Sequence, residues 1–335
     1  MENSNKATKS GPLAGIRVLD LTRILAGPSC TQLLGDYGAD IVKVEKPGAG
    51  DDTRAWGPPY VRDDSGNETS ESAYYMAANR NKRSIAVDIA TPEGAETIRR
   101  LAAECDILVE NFKVGGLKKY GLDYASLKDT NPSMIYCSIT GFGQTGPNAG
   151  LAGYDLMAQG YGGIMSLTGV PDGEPMKVGV GITDIMCGMY ASTAILAALR
   201  HRDQTGQGQS IDIALVDSQV AWLINEGVNY LTSGDVPKRR GNQHPNIVPY
   251  QVFEVSDGHL IIAVGNDSQF IKFCGAIGHP ELAGDPRYTT NIKRIENREV
   301  LIETLTPIIA KIDKQTLLAS MNAAGVTCGP INTID

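Results

Sequence analysis

At 335 residues, with 42% hydrophobic and 20% charged residues, the chain has an ordinary globular composition and the length for about two domains. Its net charge of −8 excludes a broad basic field for a nucleic-acid backbone or an acidic membrane, so an anionic ligand must be met by local cations or backbone amides. Cys30, Cys105, Cys137, Cys187, Cys274 and Cys328 are scattered, with no CxxC pair and no histidine at metal-ligand spacing; they read as reduced, mostly buried thiols of a cytoplasmic protein with no metal.

The opening MENSNKATKSG is polar and no apolar h-region follows, so it reads as a frayed tail and not as a signal peptide. IRVLDL from residue 16 predicts a buried strand, TRILAGP a loop with Pro28 suited to a helix's first turn, and SCTQLLGDYG the helix, closed by Gly38. ADIVKVE adds a second strand and completes a βαβ unit. TPEGAETIRRLAAEC predicts an amphipathic helix capped by Thr91 with Pro92 at its first position, and the strand DILVEN follows. NPSMIYCSITG is a strand entering a glycine-rich loop, and QSIDIALVD is another strand-like run. Between them Ile185 to Leu199 reads as a buried helix, shorter than the ~18 to 20 apolar residues that span a bilayer. This alternation predicts an α/β fold with a parallel sheet covered on both faces.

After residue 205 the character changes. RHRDQTGQGQ is a polar turn, Ser218 to Leu231 is helical and suits a linker, and SGDVPKRRGNQHPN is a basic loop. YQVFEVSDGHLIIAVG predicts a hairpin around Asp257-Gly258, with short helices beyond it. The organisation expected is therefore a large α/β domain over 1–205, a linker with a helix over 206–232, and a small α+β domain over 233–335.

Several motifs have both a plain and a functional reading. GFGQTG matches GxGxxG after a strand, but Pro147, Asn148 and Gly150 follow where a dinucleotide fingerprint requires a helix to open at once, so a dehydrogenase is set aside. No histidine lies in a Ser/His/Asp or HExxH arrangement, and His259 falls on the hairpin as ordinary surface. His244 stands beside Arg239 and Arg240 in a loop that either is simply solvated or presents cations to a carboxylate substrate. Asp184, at the mouth of the apolar helix, reads as an N-cap, and Asp155 in GYDLMAQ has the same reading. A carboxylate held at a helix N-terminus is also kept ionised and fixed, which is chemically useful.

GPLAGIRVLDLTRILAGPSCTQLLGDYGADIVKVEKPGAGDDTR, NKRSIAVD, DILVENFKVGGLKKYGL, GYDLMAQ and GITDIMCG, in this order, resemble the class III CoA-transferases, the family of formyl-CoA and crotonobetainyl-CoA transferases. The resemblance implies a Rossmann-like large domain, a small domain, and two chains interlocked as a homodimer. It puts the catalytic aspartate on Asp184. It puts coenzyme A against Leu25, Ala26, Lys46, Val87, Asp88, Asn111, Phe112, Lys113, Lys119, and Ala152, Gly153, Tyr154 and Asp155, with no metal. Some relatives carry arginine at Lys46 and Lys119, which keeps positive charge near the phosphates but changes its geometry. In the chemistry so implied, Asp184 attacks an acyl-CoA thioester to give a mixed anhydride, CoA returns to form an aspartyl thioester, and an acceptor carboxylate completes the transfer. The helix N-terminus is expected to supply N–H groups for the oxyanions.

The α-methylacyl-CoA racemases share this resemblance but carry histidine before the aspartate of the GYD segment. Here Tyr154 stands there, and with a reference pKa near ~10 it is a poor base at neutral pH. A non-catalytic CoA-binding protein is the alternative of another class. RGNQHPNIVPYQVF replaces the glycine run of the formyl-CoA transferases and resembles relatives that pair succinyl-CoA with dicarboxylates such as glutarate, which implies that Arg239, Arg240 or His244 grips the distal carboxylate. Relatives continue beyond GVTCGPINTID with a segment that returns to the large domain, and this return is expected to be absent here.

Overall fold

The computed structural model describes residues 10–335, so most of the polar stretch read as a tail lies outside the described residues. The first part of the chain runs through β1 (Arg17–Asp20), α1 (Ala26–Asp36), β2 (Asp40–Glu45), a hairpin of β3 (Tyr60–Arg62) and β4 (Glu68–Ser72), and α2 (Ala73–Ala77). It continues through β5 (Lys82–Ala86), α3 (Pro92–Glu104), β6 (Ile107–Glu110), α4 (Tyr124–Leu127), β7 (Ile135–Thr140), α5 (Asp155–Tyr161) and α6 (Ile164–Leu167). Then come α7 (Ile182–Thr205), β8 (Ser210–Ala214), α8 (Leu215–Val220) and α9 (Ile224–Ser233). Thr91 caps α3 as expected, its hydroxyl accepting from the Gly94 N–H.

Six strands form one parallel sheet in the order β5-β2-β1-β6-β7-β8, which in chain sequence is 3-2-1-4-5-6, the doubly wound order. The α/β class is as expected. Central strands such as β6, ILVE, are buried along their whole length, because helices cover both faces. The order reverses between β1 and β6, so the segments leaving their carboxyl ends, Leu21 onward and Asn111 onward, diverge and open a crevice there.

The compact units divide the chain elsewhere than the sequence suggested. One unit runs to Ser166 and takes in Met176–Pro237; the other holds Leu167–Pro175 and Lys238–Asp335. The stretch 206–232 therefore contains β8, the sixth strand, whose half-exposed edge position weakens its apolar signal. Residues 167–175 join the second unit through the Arg239 guanidinium, which donates to the Val170 and Gly173 carbonyls at 3.3 and 2.6 Å, and through Gly241 N–H to Gly169 O at 3.0 Å.

That second unit is an antiparallel sheet, β11-β10-β9, of β9 (Tyr250–Val255), β10 (Gly258–Ala263) and β11 (Thr327–Pro330). Helices α10 (Asp267–Ala276), α11 (Asn291–Glu296), α12 (Arg298–Ile309) and α13 (Lys314–Ala324) complete its core around Phe253, Leu260, Phe270, Phe273 and Leu305. The register pairs Gly258 with Val255, so Ser256 and Asp257 form the turn and Gly258, at φ 138°, opens β10.

Two features of the first unit position the crevice. Gly188 lets α7 cross α1 closely, since a Cβ there would lie 2.7 Å from the Ala26 carbonyl oxygen; Ser192 Oγ adds a 3.2 Å bond to Cys30 O. The segment after β1 is held by buried charges. Lys43 Nζ reaches Asp51 Oδ2 and Thr22 O, each at 2.8 Å, and Lys82 Nζ lies 3.1 Å from Asp20 Oδ2. Burial works to raise the Asp20 carboxyl, but Lys82, Lys43 and two threonine hydroxyls hold it below its usual range. Asn111 clamps the Arg23 backbone at both ends, accepting from its N–H at 2.9 Å and donating to its carbonyl at 2.7 Å.

Helix α7 exceeds the apolar run read from sequence: at 24 residues it is long and apolar enough to cross a membrane by length and composition. Half of its most apolar stretch is buried inside the unit, as for a core helix, and the helix carries Asp184.

Candidate active site

Asp184 does not cap α7. The helix starts at Ile182 with Gly181 as its N-cap, so Asp184 is its third residue. The cap comes from outside: Asp155 Oδ1 accepts from the Thr183 N–H at 2.8 Å and the Asp184 N–H at 3.4 Å. Asp155 was expected as a cap of its own helix; instead it is the first residue of α5, with its carboxylate turned to α7, and it lines neither of the two cavities described below. Gln159 fixes its other oxygen, Nε2 to Oδ2 at 2.6 Å, and Gln159 Oε1 accepts from the Val178 N–H at 2.9 Å. The Ile182 N–H bonds to Val180 O at 2.8 Å. These three first-turn amides of α7, expected as oxyanion donors, are thus already engaged.

The Asp184 carboxylate itself takes no hydrogen bond from the described residues. It is 8% exposed and faces a cavity of about 260 Å³. Burial first, and the Asp155 charge second, push its carboxyl up to about 7. The consequence for stability has a definite sign. A carboxyl whose folded-state pKa is raised costs nothing below the unfolded value of 3.8; the penalty grows as pH rises and is complete above about 7. Asp184→Asn removes it, so the variant's gain in unfolding free energy over the natural protein should widen between pH 4 and 8 by on the order of a few kcal/mol. Urea unfolding at the two pH values measures this; a constant difference would mean that Asp184 titrates normally.

The residues singled out from the sequence separate into two adjoining cavities. The smaller is lined by Leu25, Ala26, Asn111, Phe112, Lys113, Ala152, Gly153, Tyr154 and Asp184. The larger, about 680 Å³, is lined by Lys46, Val87, Asp88, Phe112, Lys113 and Lys119. Phe112, Lys113 and Arg23 border both, so one continuous surface runs from the cations to Asp184. Both cavities lie at the carboxyl ends of β1, β2, β5 and β6, where the doubly wound sheet places ligands. Gly141 and Gly153 bring the covering loop down: a Cβ on Gly153 would lie 2.3 Å from the Gly141 Cα.

Sequence reasoning missed Arg23, whose guanidinium pairs with Asp52 at 2.8 Å while its side chain borders both cavities. It also missed Tyr74 on α2, which stacks edge-on against Trp56 at 5.1 Å. Burial, then the charges of Asp184 and Asp155, raise its phenol above the ordinary value. No periodicity around residues 56–80 marked that region.

Arg239, Arg240 and His244 belong to the second unit. Arg239 is spent on the carbonyls of Val170 and Gly173, Arg240 donates to Lys238 O at 3.4 Å, and the His244 ring stacks on Tyr250 at 5.0 Å. Nδ1 of His244 accepts from the Asn246 N–H at 3.1 Å. Among the described residues no group of three or more His, Cys, Asp or Glu side chains is placed to hold a metal ion.

A doubly wound domain with a cation-lined crevice leading to a buried carboxylate, unpaired among the described residues, suits an anionic ligand whose far end reaches that carboxylate. The chain belongs to CoA-transferase family III, whose profile matches residues 13–335. It is 53% identical to the succinate–glutarate CoA-transferase of Agrobacterium fabrum over 97% of this chain and 81% of that one. It is 46% identical to the succinyl-CoA:glutarate CoA-transferase of Homo sapiens over 96% of this chain and 72% of that one. A CAIB/BAIF family protein from Brucella suis superposes with a TM-score of 0.86 at 54% identity, covering 97% of this chain and 85% of that chain. The protein is accordingly an enzyme that transfers CoA, and the racemase and non-catalytic readings fall away.

Proposed function

We propose that the enzyme moves CoA from succinyl-CoA, or a closely similar acyl-CoA, to a dicarboxylate, with Asp184 as covalent nucleophile. The observation that carries this reading is the Asp184 carboxylate itself, buried and without a hydrogen-bond partner among the described residues, beside a cavity that joins a cation-lined one. The nucleotide phosphates are met by Lys46, Lys119, Arg23 and Lys113, local cations in a chain that is acidic as a whole. The pantetheine arm passes Phe112 to reach Asp184.

The Asp184 carboxylate attacks the thioester carbonyl and expels CoA thiolate, leaving a mixed anhydride. The thiolate attacks the aspartyl carbonyl, releases the donor carboxylate and forms an aspartyl-CoA thioester. An acceptor carboxylate attacks that thioester, CoA leaves again, and its return to the acyl carbon of the new anhydride frees Asp184. The acyl energy stays covalent throughout. With the first amides of α7 engaged by Asp155 and Val180, the first turn of α1, whose Leu25 and Ala26 line the cavity, is the source of oxyanion donors in this reading.

The acceptor class is supported by relatives named for glutarate, mesaconate and oxalate. Arg240 and His244 are proposed to meet the acceptor's second carboxylate. Incubation with succinyl-CoA and a mixed panel of mono- and dicarboxylates, read by mass, should give new acyl-CoA species from the diacids. Products from monocarboxylates alone would overturn the diacid reading. Arg240→Ala and His244→Ala should raise the acceptor KM about tenfold or more with little change in the acyl-CoA KM; unchanged acceptor kinetics would remove both residues from the role.

The same reading takes the enzyme as a homodimer in the cytoplasm. Ile224, Val228 and Leu231 on α9, 68%, 61% and 81% exposed, are apolar surface suited to a second copy, and six unpaired thiols suit a reducing compartment.

A further inference from the structure

Both oxygens of Asp155 already have partners within the fold. Oδ1 holds the second and third amides of α7, and Oδ2 is tied to Gln159 within its own helix. An acid at the third helical position ordinarily folds back to cap its own helix. Asp184 occupies that position and does not.

We propose that Asp155 is the positioning residue of the nucleophile: its carboxylate caps α7 from a neighbouring helix, relieves Asp184 of capping, and keeps a like charge beside it. This rests on the reading of Asp184 as nucleophile. The cap makes the first turn of α7 rigid, so the free carboxylate stays directed at the cavity. The like charge makes Asp184 more basic, hence more nucleophilic once ionised, at the expense of ionising later as pH rises. Gln159 keeps the device in register, because turning its amide to face Asp155 with oxygen would break the bond to Val178 N–H.

The other titratable groups around Asp184 are few. Tyr74 on α2 and Cys187 on α7 interact with its charge, and burial pushes the Cys187 thiol up to about 12, so it is neutral in the working range. Tyr154, Arg23 and Lys113 border the same cavity. From α1 and α8 come Leu25, Ala26, Leu215 and Ser218, none of which titrates. Asp155 is the one carboxylate among these groups.

The test is the pH profile of kcat/KM for acyl-CoA in Asp155→Asn, which keeps an oxygen for the α7 amides and loses the charge. Its acid limb should move down by about one unit or more, with the acyl-CoA KM within about twofold, and Asp155→Glu should move the limb back toward the natural position. Asp155→Ser, another neutral cap, repeats the test should the Asn variant not fold. A raised acyl-CoA KM with an unmoved limb would make Asp155 a CoA contact and overturn the proposal. Asp184→Ala, run alongside, separates the two ideas. If it still turns over, the nucleophile reading fails; if it is dead while the Asp155→Asn limb stays in place, only the positioning role fails.

Discussion

Asp184→Ala should lower CoA transfer by at least about a thousandfold while leaving the dissociation constant for CoA within a few-fold. The first expectation follows from the covalency of the proposed mechanism: without the carboxylate there is no anhydride and no aspartyl thioester, and among the described residues no other carboxylate lines the smaller cavity, Glu45, Asp51, Asp52 and Asp88 lining the larger one. The second follows from how the lining is distributed. Lys46, Lys113, Lys119 and Phe112 sit on segments after β2 and β6 and do not depend on α7 for their place. Asp184→Glu retains the charge but advances the oxygens by one methylene, and should itself lose about a hundredfold. Exchange of label between succinyl-CoA and succinate, with calorimetry of CoA binding, reads both quantities. Turnover by Asp184→Ala at the natural rate would end the mechanism.

Asp51→Ala should destabilise the first unit by about 3 to 5 kcal/mol, which corresponds to a fall in melting temperature of about 10 °C or more. Lys43 and Asp51 meet at 2.8 Å with side chains 1% and 0% exposed, so removing the acid leaves a buried ammonium group with the Thr22 carbonyl and the charge of Asp20, which Lys82 already shares. Asp51 also accepts from the Ile24 and Thr53 N–H groups, and Ile24 stands at φ 73°, a conformation costly for a β-branched residue. Releasing that segment frees Leu25 and Ala26 at the cavity wall, so the acyl-CoA KM should rise as stability falls. Lys43→Met/Asp51→Leu, which removes both charges, should lose less stability than the single variant. Calorimetric melting of the three proteins decides the matter; a single-variant loss no larger than that of the double would show that Lys43 is not held by Asp51.

The two expectations join at one place in the fold. The buried Lys43–Asp51 pair fixes the segment after β1, the close crossing at Gly188 fixes α7 against α1, and Asp155 fixes the first turn of α7. Asp184 is thus held by groups outside the smaller cavity, of which Lys43 and Asp51 border the larger one.

The sequence by itself determined the alternation of strands and helices, because buried parallel strands and capped amphipathic helices are written in local patterns: ILVE as a continuous apolar run, Thr91-Pro92 as a helix start. The family's motifs likewise marked Asp184 and the lining of both cavities without any structure. The hairpin β3 and β4, the edge strand β5 and the place of β8 were less legible, since edge strands are half polar and their partners are distant in the chain. Only the tertiary structure decided which carboxylate caps and which remains free. Asp184 and Asp155 read alike, each an acid at a helix mouth. Twenty-nine residues separate the Asp155 carboxylate from the Asp184 amide it approaches, and such a bond is fixed by how α5 packs beside α7, which no local pattern encodes.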